Sequence, residues 1–245
     1  MANDKRPKTK VPILILHGWA RTMTGDKYYE LIKLLQKEGY AVYSPDLPGF
    51  GREKLVKNPM TLNDYVFFVR SFLKNRKISK VIVIGHSFGG RIGAVLASQY
   101  PKLVEKLIIS GSPLIKHKPT IKKRLAFIFA KSGKFVIQSL PDSLQYFFRK
   151  LLYRGLGEWD YFTAGELKAT MRKIIAYDVA PVLPLIAVPT LVLWGEEDKT
   201  VSISDGLEIA KRIKRATFVS IKNAGHRVPY ENPTDFAMKV LAFIQ

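Results

Sequence analysis

Residues 81–90 of this 245-residue chain have the sequence VIVIGHSFGG, an apolar run that leads into a serine with a glycine two residues to either side. The run 81–84 is typical of a buried strand, and residues 91–99 have the apolar spacing of a helix. A serine between a strand and a helix lies in a strained turn, where side chains larger than glycine would collide with both elements. We therefore expect Ser87 to project its hydroxyl from the end of a strand, as a nucleophile.

The alternation of apolar runs and helical patterns extends outward from this turn in both directions. It predicts strands at 12–16, 41–44, 81–84, 106–109, 190–194 and 217–221, and helices at 28–37, 62–76, 91–99, 203–213 and 235–244. Such alternation is typical of an α/β fold in which helices cover both faces of a mostly parallel sheet. The expected sheet has about six strands.

The alternation fails between Gly111 and about Pro189, where helical patterns follow one another without a strand. We expect residues 113–188 to form a helical lid (cap) inserted into a core made of 11–112 and 189–245, with 1–10 as a basic disordered tail. Two amphipathic lid helices are predicted from the apolar residues Ile121, Leu125, Ile128 and Phe129, and from Leu144, Phe147, Phe148, Leu151 and Leu152.

Composition limits the chemistry and the surroundings of the chain. With no cysteine, disulfides, a thiolate nucleophile and cysteine metal sites are excluded. No apolar run approaches the roughly 18 residues needed to span a bilayer, and we expect a cytoplasmic protein. The formal net charge of +20 favours a solvated lysine-rich surface. Weak contact with an anionic membrane or polyanion is the alternative, without a specific nucleic-acid partner.

A serine nucleophile needs a base, and imidazole has a suitable pKa. Of the four histidines, His17 and His86 are expected inside backbone turns, and His117 lies between two lysines. His226, in a loop after the last predicted strand, is the best candidate. Its tautomer must be held by a carboxylate from a neighbouring strand end, for which Glu196, Glu197 and Asp198 compete.

Five motifs in this order resemble the α/β-hydrolase fold family over residues 11–245: HGW at 17–19, DLPGFG at 46–51, GHSFGG at 85–90, WGEED at 194–198 and GHRVPYENP at 225–233. The resemblance implies that Asp198, three residues after Gly195, is the acid. It also implies that the backbone N–H groups of Trp19 and Phe88 form the oxyanion hole.

The resemblance assigns no chemistry to Asp46 and Glu231, which match positions that are usually structural in the family. Many members have an additional N-terminal hairpin, which is apparently missing here, so the sheet is expected to be shortened at an edge. Whether the chain is a monomer or a homodimer stays open.

A serine at the nucleophile position favours acyl transfer over epoxide opening or halide displacement, in which the family uses aspartate. We expect a carboxylesterase that acts on a small-molecule acyl ester without metal or cofactor. Thioesterase, lactonase, monoacylglycerol lipase and C–C bond hydrolase are alternatives on the same three residues, and a non-catalytic ligand- or polyanion-binding protein is an alternative of another class. The lid is expected either to cover an apolar acyl pocket or to bind an anionic membrane or acidic substrate.

Overall fold

The apolar runs form six strands that lie side by side in one sheet. A computed structural model describes residues 10–20, 23–53, 57–117, 141–155 and 163–245. The strands are β1 (Ile13–Leu16), β2 (Val42–Tyr43), β3 (Val81–His86), β4 (Val104–Ser110), β5 (Thr190–Gly195) and β6 (Ala216–Ile221). Their order is β2-β1-β3-β4-β5-β6, and each neighbouring pair is parallel.

The described helices follow the strands in the order that parallel pairing requires. They are α1 (Tyr29–Lys37), α2 (Leu62–Asn75), α3 (Phe88–Gln99), α4 (Asp142–Gly155), α5 (Lys168–Ala176), α6 (Ile203–Arg212), α7 (Val228–Glu231) and α8 (Pro233–Ile244), with short 3₁₀ segments at Gly25–Tyr28, Gly165–Leu167 and Ala180–Leu185. Thr61 begins α2 with a capping box that includes Asp64, and the Ser202 side chain caps α6. Both caps satisfy backbone N–H groups that have no acceptor inside the helix.

Helices cover both faces of the sheet and divide the core into two layers. Along β1, alternate side chains point to opposite faces. Leu14 and Leu16 pack beneath α2, α3 and α6, whereas Ile13 and Ile15 pack beneath α1 and α8. Every residue of β1, β3 and β5 is buried, as expected for continuous apolar strands of a sheet with both faces covered. The predicted α/β fold with six strands is confirmed.

Between β4 and β5 the described residues contain helices and no strand. One predicted amphipathic helix lies within α4, where Leu144, Phe147 and Leu151 are 44%, 57% and 61% exposed. The other, at 121–129, and nearly all of the predicted tail lie outside the described residues. The assignment of 113–188 as a lid stays a prediction. In the described ranges, no helix is both long and apolar enough to cross a membrane.

Candidate active site

Ser87 forms the whole connection between β3 and α3. The strand ends at His86 and the helix begins at Phe88, so a single residue must reverse the course of the backbone. Ser87 does so with φ 52° and ψ −113°, in a region that residues with a Cβ rarely adopt. Such strain is typical of functional turns, and it holds the serine at the carboxyl edge of the sheet.

The glycines around Ser87 are explained by close backbone contacts. A Cβ on Gly85 would lie 2.6 Å from the carbonyl O of Gly89, and a Cβ on Gly89 would collide with the carbonyl O of Leu16. The start of α3 is therefore pressed against the ends of β1 and β3, and only glycine fits at both positions.

His226 and Asp198 lie together although 28 residues separate them. His226 Nδ1 is 2.8 Å from Asp198 Oδ2, and the two side chains are 17% and 1% exposed. Because a carboxylate accepts hydrogen bonds, Nδ1 carries a proton and its N–H donates a hydrogen bond to Asp198. The other ring nitrogen, Nε2, is left with a lone pair, which is the form that a general base requires.

Asp198 is held as an anion by several donors. Burial by itself would raise its pKa, but hydrogen bonds from His226 and from the backbone N–H groups of Val201 and Thr200 outweigh burial and hold the pKa below its ordinary value. The two N–H groups donate to Oδ1 at 2.9 and 2.8 Å. The two competing acids, Glu196 and Glu197, are exposed, and neither makes a hydrogen bond with His226.

Ser87 and His226 both lie close to the segment that ends β4. The Ser87 N–H donates to the Ser110 carbonyl at 2.8 Å, and a Cβ built on the next residue, Gly111, would lie 3.0 Å from His226 Nδ1. In the described part of the chain, no hydrogen bond joins the Ser87 hydroxyl to His226. Such bonds are often long or misaligned before substrate binds, and rotation about the Ser87 Cα–Cβ bond moves the hydroxyl.

His86 has a role that the sequence does not reveal, since the residue is buried at the end of β3 and not in the expected turn. Its Nε2 lies 2.9 Å from the His226 carbonyl O, and its Nδ1 lies 3.0 Å from the Tyr28 hydroxyl. His86 Nε2–H must therefore donate to the His226 backbone, while Nδ1 accepts from Tyr28. Burial and the neighbouring His226 lower the His86 pKa to about 3, so the ring is neutral. His86 thus fastens the backbone of the proposed base to the central strand.

The remaining two histidines have partners of their own. His17 is buried, its Nδ1 lies 2.8 Å from the Gly18 carbonyl O, and its Nε2 accepts from the Leu47 N–H at 2.9 Å. His117 is exposed and its Nε2 lies 2.8 Å from Asp205 Oδ1, a carboxylate partner that its two lysine neighbours did not suggest.

The predicted oxyanion residues lie beside the serine. Phe88 is the first residue of α3, so its N–H has no acceptor inside the helix. The loop after β1 contacts the serine turn, because a Cβ on Gly18 would lie 3.2 Å from Ser87 Cβ. The Trp19 and Phe88 rings pack edge to face with centroids 5.3 Å apart. The predicted use of both N–H groups at a substrate oxygen is consistent with this placement.

Asp46 and Glu231 make local contacts. Asp46 accepts hydrogen bonds from the N–H groups of Gly25 at 2.7 Å and Arg52 at 2.9 Å, and so joins two loops. Glu231 pairs with Arg227 at 3.5 Å on the surface.

A cleft of about 560 Å³ opens beside Ser87. Its apolar wall is formed by Trp19, Phe88, Ile115, Met171, Ile174, Ile175 and Val201, and its cationic or titratable side chains are Arg91, Lys116 and His117. These residues come from the loop after β1, the start of α3, the segment after β4, α5 and the loop after β5. The cleft therefore gives an acyl group an apolar surface next to the serine.

The chain is similar to known proteins over most of its length. The family profile described as "alpha/beta hydrolase fold" matches residues 11–151, more than half of the chain. The chain is 25% identical over 260 residues to the 2-hydroxy-6-oxononadienedioate/2-hydroxy-6-oxononatrienedioate hydrolase of Klebsiella pneumoniae, covering 96% of this chain and 87% of that protein. It is also 25% identical over 276 residues to the human monoacylglycerol lipase ABHD6, covering 98% of this chain and 77% of the lipase.

Solved structures share the fold. A membrane phospholipase A described as a bacterial virulence factor superposes with a TM-score of 0.74 at 23% identity, covering 97% of this chain and 79% of that one. The enol-lactonase from Burkholderia xenovorans LB400 superposes with a TM-score of 0.72 at 22% identity, covering 96% and 92%. At these identities the likeness is one of fold.

Proposed function

The chain belongs to the α/β-hydrolase fold family, and on that premise we propose that it is a serine hydrolase which cleaves a carboxylic ester through an acyl-Ser87 intermediate. The observation that carries the proposal is the 2.8 Å hydrogen bond between His226 and Asp198. This hydrogen bond fixes the tautomer of His226. Among the described histidines that lie beside the serine turn, His226 is the one with a ring nitrogen free to accept a proton. The proposed nucleophile, base and acid are thus Ser87, His226 and Asp198.

In the proposed reaction, Ser87 Oγ attacks the ester carbonyl while His226 Nε2 takes its proton. Negative charge moves to the carbonyl oxygen, where the N–H groups of Trp19 and Phe88 would stabilise it. The C–O bond then breaks, and His226 returns the proton to the leaving alcohol. Water releases the acid in a second attack of the same kind, again with His226 as base. These steps use no metal or organic cofactor.

Asp198 has two effects on the proposed base. It holds His226 in the tautomer whose Nε2 can accept a proton, and its negative charge stabilises the imidazolium that forms during attack. The lowered pKa of Asp198 keeps this charge present at neutral pH.

C–C bond hydrolysis is the second candidate. The Klebsiella pneumoniae relative is a hydrolase of 2-hydroxy-6-oxononadienedioate, a compound whose name contains two carboxylates and a ketone but no ester. The same serine and base could attack that ketone, so the bond that breaks is decided by the cleft. Thioesters, lactones and monoacylglycerols use the same chemistry on other leaving groups.

The test is covalent labelling of the purified protein with a fluorophosphonate probe, together with turnover of p-nitrophenyl esters of several chain lengths and of a 2-hydroxy-6-oxodienoate. Ser87→Ala should lose labelling and turnover together. Ser98→Ala is a matched control, because Ser98 lies near the end of α3, the helix that follows Ser87, and its hydroxyl donates to the Val95 carbonyl at 2.9 Å. It should keep both.

The result also separates hydrolysis from a binding function. A wild-type protein that neither labels nor turns over any of these compounds, yet binds heparin or anionic vesicles tightly at low salt, would replace the proposal with a polyanion-binding protein. Turnover of the dienoate alone would favour the second candidate. The cytoplasmic location stays a prediction.

A further inference from the structure

The described residues that line the cleft beside Ser87 include cationic side chains and no acid. Among the residues that line it are Arg91, Lys116 and His117, and none is an aspartate or glutamate. Two acids contact lining residues from outside the cleft: Asp205 is paired with His117, and Asp198 accepts from the N–H groups of Thr200 and Val201. A concave surface with charges of one sign raises the local concentration of ligands of the opposite sign.

Arg91 is the most unusual of these residues, because its charge is buried and its hydrogen bonds go to neutral acceptors. The residue is 8% exposed, and its guanidinium donates to three backbone carbonyls, those of Pro113 at 2.6 Å, Ile174 at 2.8 Å and Tyr177 at 2.7 Å. Carbonyl dipoles satisfy hydrogen bonds but leave a net charge.

No carboxylate of the described residues lies within 4 Å of the Arg91 guanidinium, and its Nε is buried without an acceptor. Burial lowers the Arg91 pKa to about 10, partly offset by the charge of Asp178. The group therefore stays protonated at neutral pH. A buried charge usually has a close counter-ion. Among the described residues Asp178 acts on Arg91 without forming an ion pair with it, and the cleft that Arg91 lines offers a place for a closer anion.

We propose that the cleft binds an acyl substrate with an anionic group, a carboxylate or a phosphate, and that Arg91 and Lys116 select it. The inference rests on the proposed serine hydrolysis and adds a substrate class to it. An apolar chain would lie along the wall that includes Phe88, Ile174 and Val201. The anionic end would lie towards Arg91 and Lys116, while the scissile carbonyl meets Ser87.

Lys116 suits this role because it is exposed at the cleft and its Nζ donates a hydrogen bond to a neutral acceptor, the Ala176 carbonyl, at 2.7 Å. Its charge can turn to a ligand without breaking an ion pair. Arg91, in contrast, joins α3 to the segments on the other side of the cleft, so its replacement is expected to disturb folding as well as binding. Lys116 is therefore the better position for a test.

The experiment compares p-nitrophenyl hemiglutarate with p-nitrophenyl valerate, esters of equal chain length of which only the first has a terminal carboxylate. For wild type we expect kcat/KM to be about tenfold higher for the anionic ester at low salt. A tenfold ratio is the effect expected from one charge contact in a half-buried site. Lys116→Gln should reduce this ratio several-fold, and Lys33→Gln, an exposed lysine on α1, should leave it unchanged. Because the readout is a ratio, a general loss of activity cancels.

Binding to the Ser87→Ala protein gives a readout that needs no turnover. Glutaric acid monoanilide should bind more tightly than valeranilide in calorimetry, and Lys116→Gln should remove most of the difference. An equal or lower kcat/KM for the anionic ester, with Ser87-dependent turnover intact, overturns the inference and leaves the proposed hydrolysis standing. If the wild-type protein turns over neither ester but the Ser87→Ala protein still prefers the anionic anilide, the proposed hydrolysis is overturned and the anion site is supported. If both anilides bind equally, the anion site is overturned.

Discussion

His86 should make the protein sensitive to mild acid, and His86→Gln should relieve part of that sensitivity. The neutral ring is enclosed between Tyr28 and the His226 carbonyl. If Nδ1 gained a proton, it could no longer accept the hydrogen bond from the Tyr28 hydroxyl. A glutamine amide can donate to the same carbonyl and accept from the same hydroxyl, but it does not titrate. The substitution therefore keeps the contacts and removes the proton binding.

The magnitude follows from the two pKa values. In the folded protein burial lowers the His86 pKa to about 3, whereas the ordinary value is 6.5. Between these values the unfolded chain binds a proton that the folded chain does not, so the free energy of unfolding falls as the pH falls through 6.5. From about pH 7 to about pH 5 this linkage amounts to about 2 kcal/mol for one histidine. The stability that the neutral His86 ring contributes is fully present at pH values above the ordinary pKa of 6.5.

The assay is urea unfolding followed by the fluorescence of tryptophan, since Trp194 is fully buried. Unfolding free energies are measured for wild type and His86→Gln at about pH 7 and about pH 5, and wild type should lose about 2 kcal/mol more between them. Burial also lowers the pKa of His17, but His17 is present in both proteins and cancels in the difference. Equal losses for the two proteins would show that His86 is not held neutral by the fold.

Three further substitutions, one of them with a matched control, test the site and its support. Asp198→Asn should lower kcat by roughly three to four orders of magnitude, measured with any ester that wild type hydrolyses, because the amide favours the wrong tautomer of the base. Gly89→Ala should lower the unfolding free energy by about 1–3 kcal/mol in urea through collision with β1, whereas Gly225→Ala, where a Cβ meets nothing within 4 Å, should be nearly neutral. Tyr28→Phe should cost about 1–3 kcal/mol in the same assay, because the buried His86 Nδ1 loses its donor.

The sheet could be predicted from the sequence because its strands are continuous apolar runs. All six predicted strands form, and the differences lie at their ends. The strand predicted at 106–109 begins at Val104, because the charged Glu105 interrupts the apolar pattern between Val104 and the rest of the strand. The strand predicted at 41–44 is reduced to Val42–Tyr43, because an edge strand pairs on one side only.

The contacts that support the site could not be predicted, because they join residues distant in the chain. His86 contacts the backbone of a residue 140 positions away, and a glycine-flanked histidine before a serine gives no sign of that partner. Arg91 looks like an ordinary helical surface residue in the sequence, yet it is buried against carbonyls 22, 83 and 86 positions away. Motifs whose residues lie within one turn could be predicted from the sequence, whereas hydrogen bonds between residues that only the tertiary fold brings together could not.

The bond that is cleaved depends on parts of the chain that the motifs do not describe. In the proposed mechanism Ser87, assisted by His226 and Asp198, could attack an ester, a thioester or a ketone, so selection must come from the walls of the cleft. Those walls are assembled from five separate segments, of which only the serine turn and the loops with Trp19 and Val201 adjoin family motifs. Substitutions in 113–117 and α5 should therefore alter substrate preference while the His226–Asp198 pair stays in place.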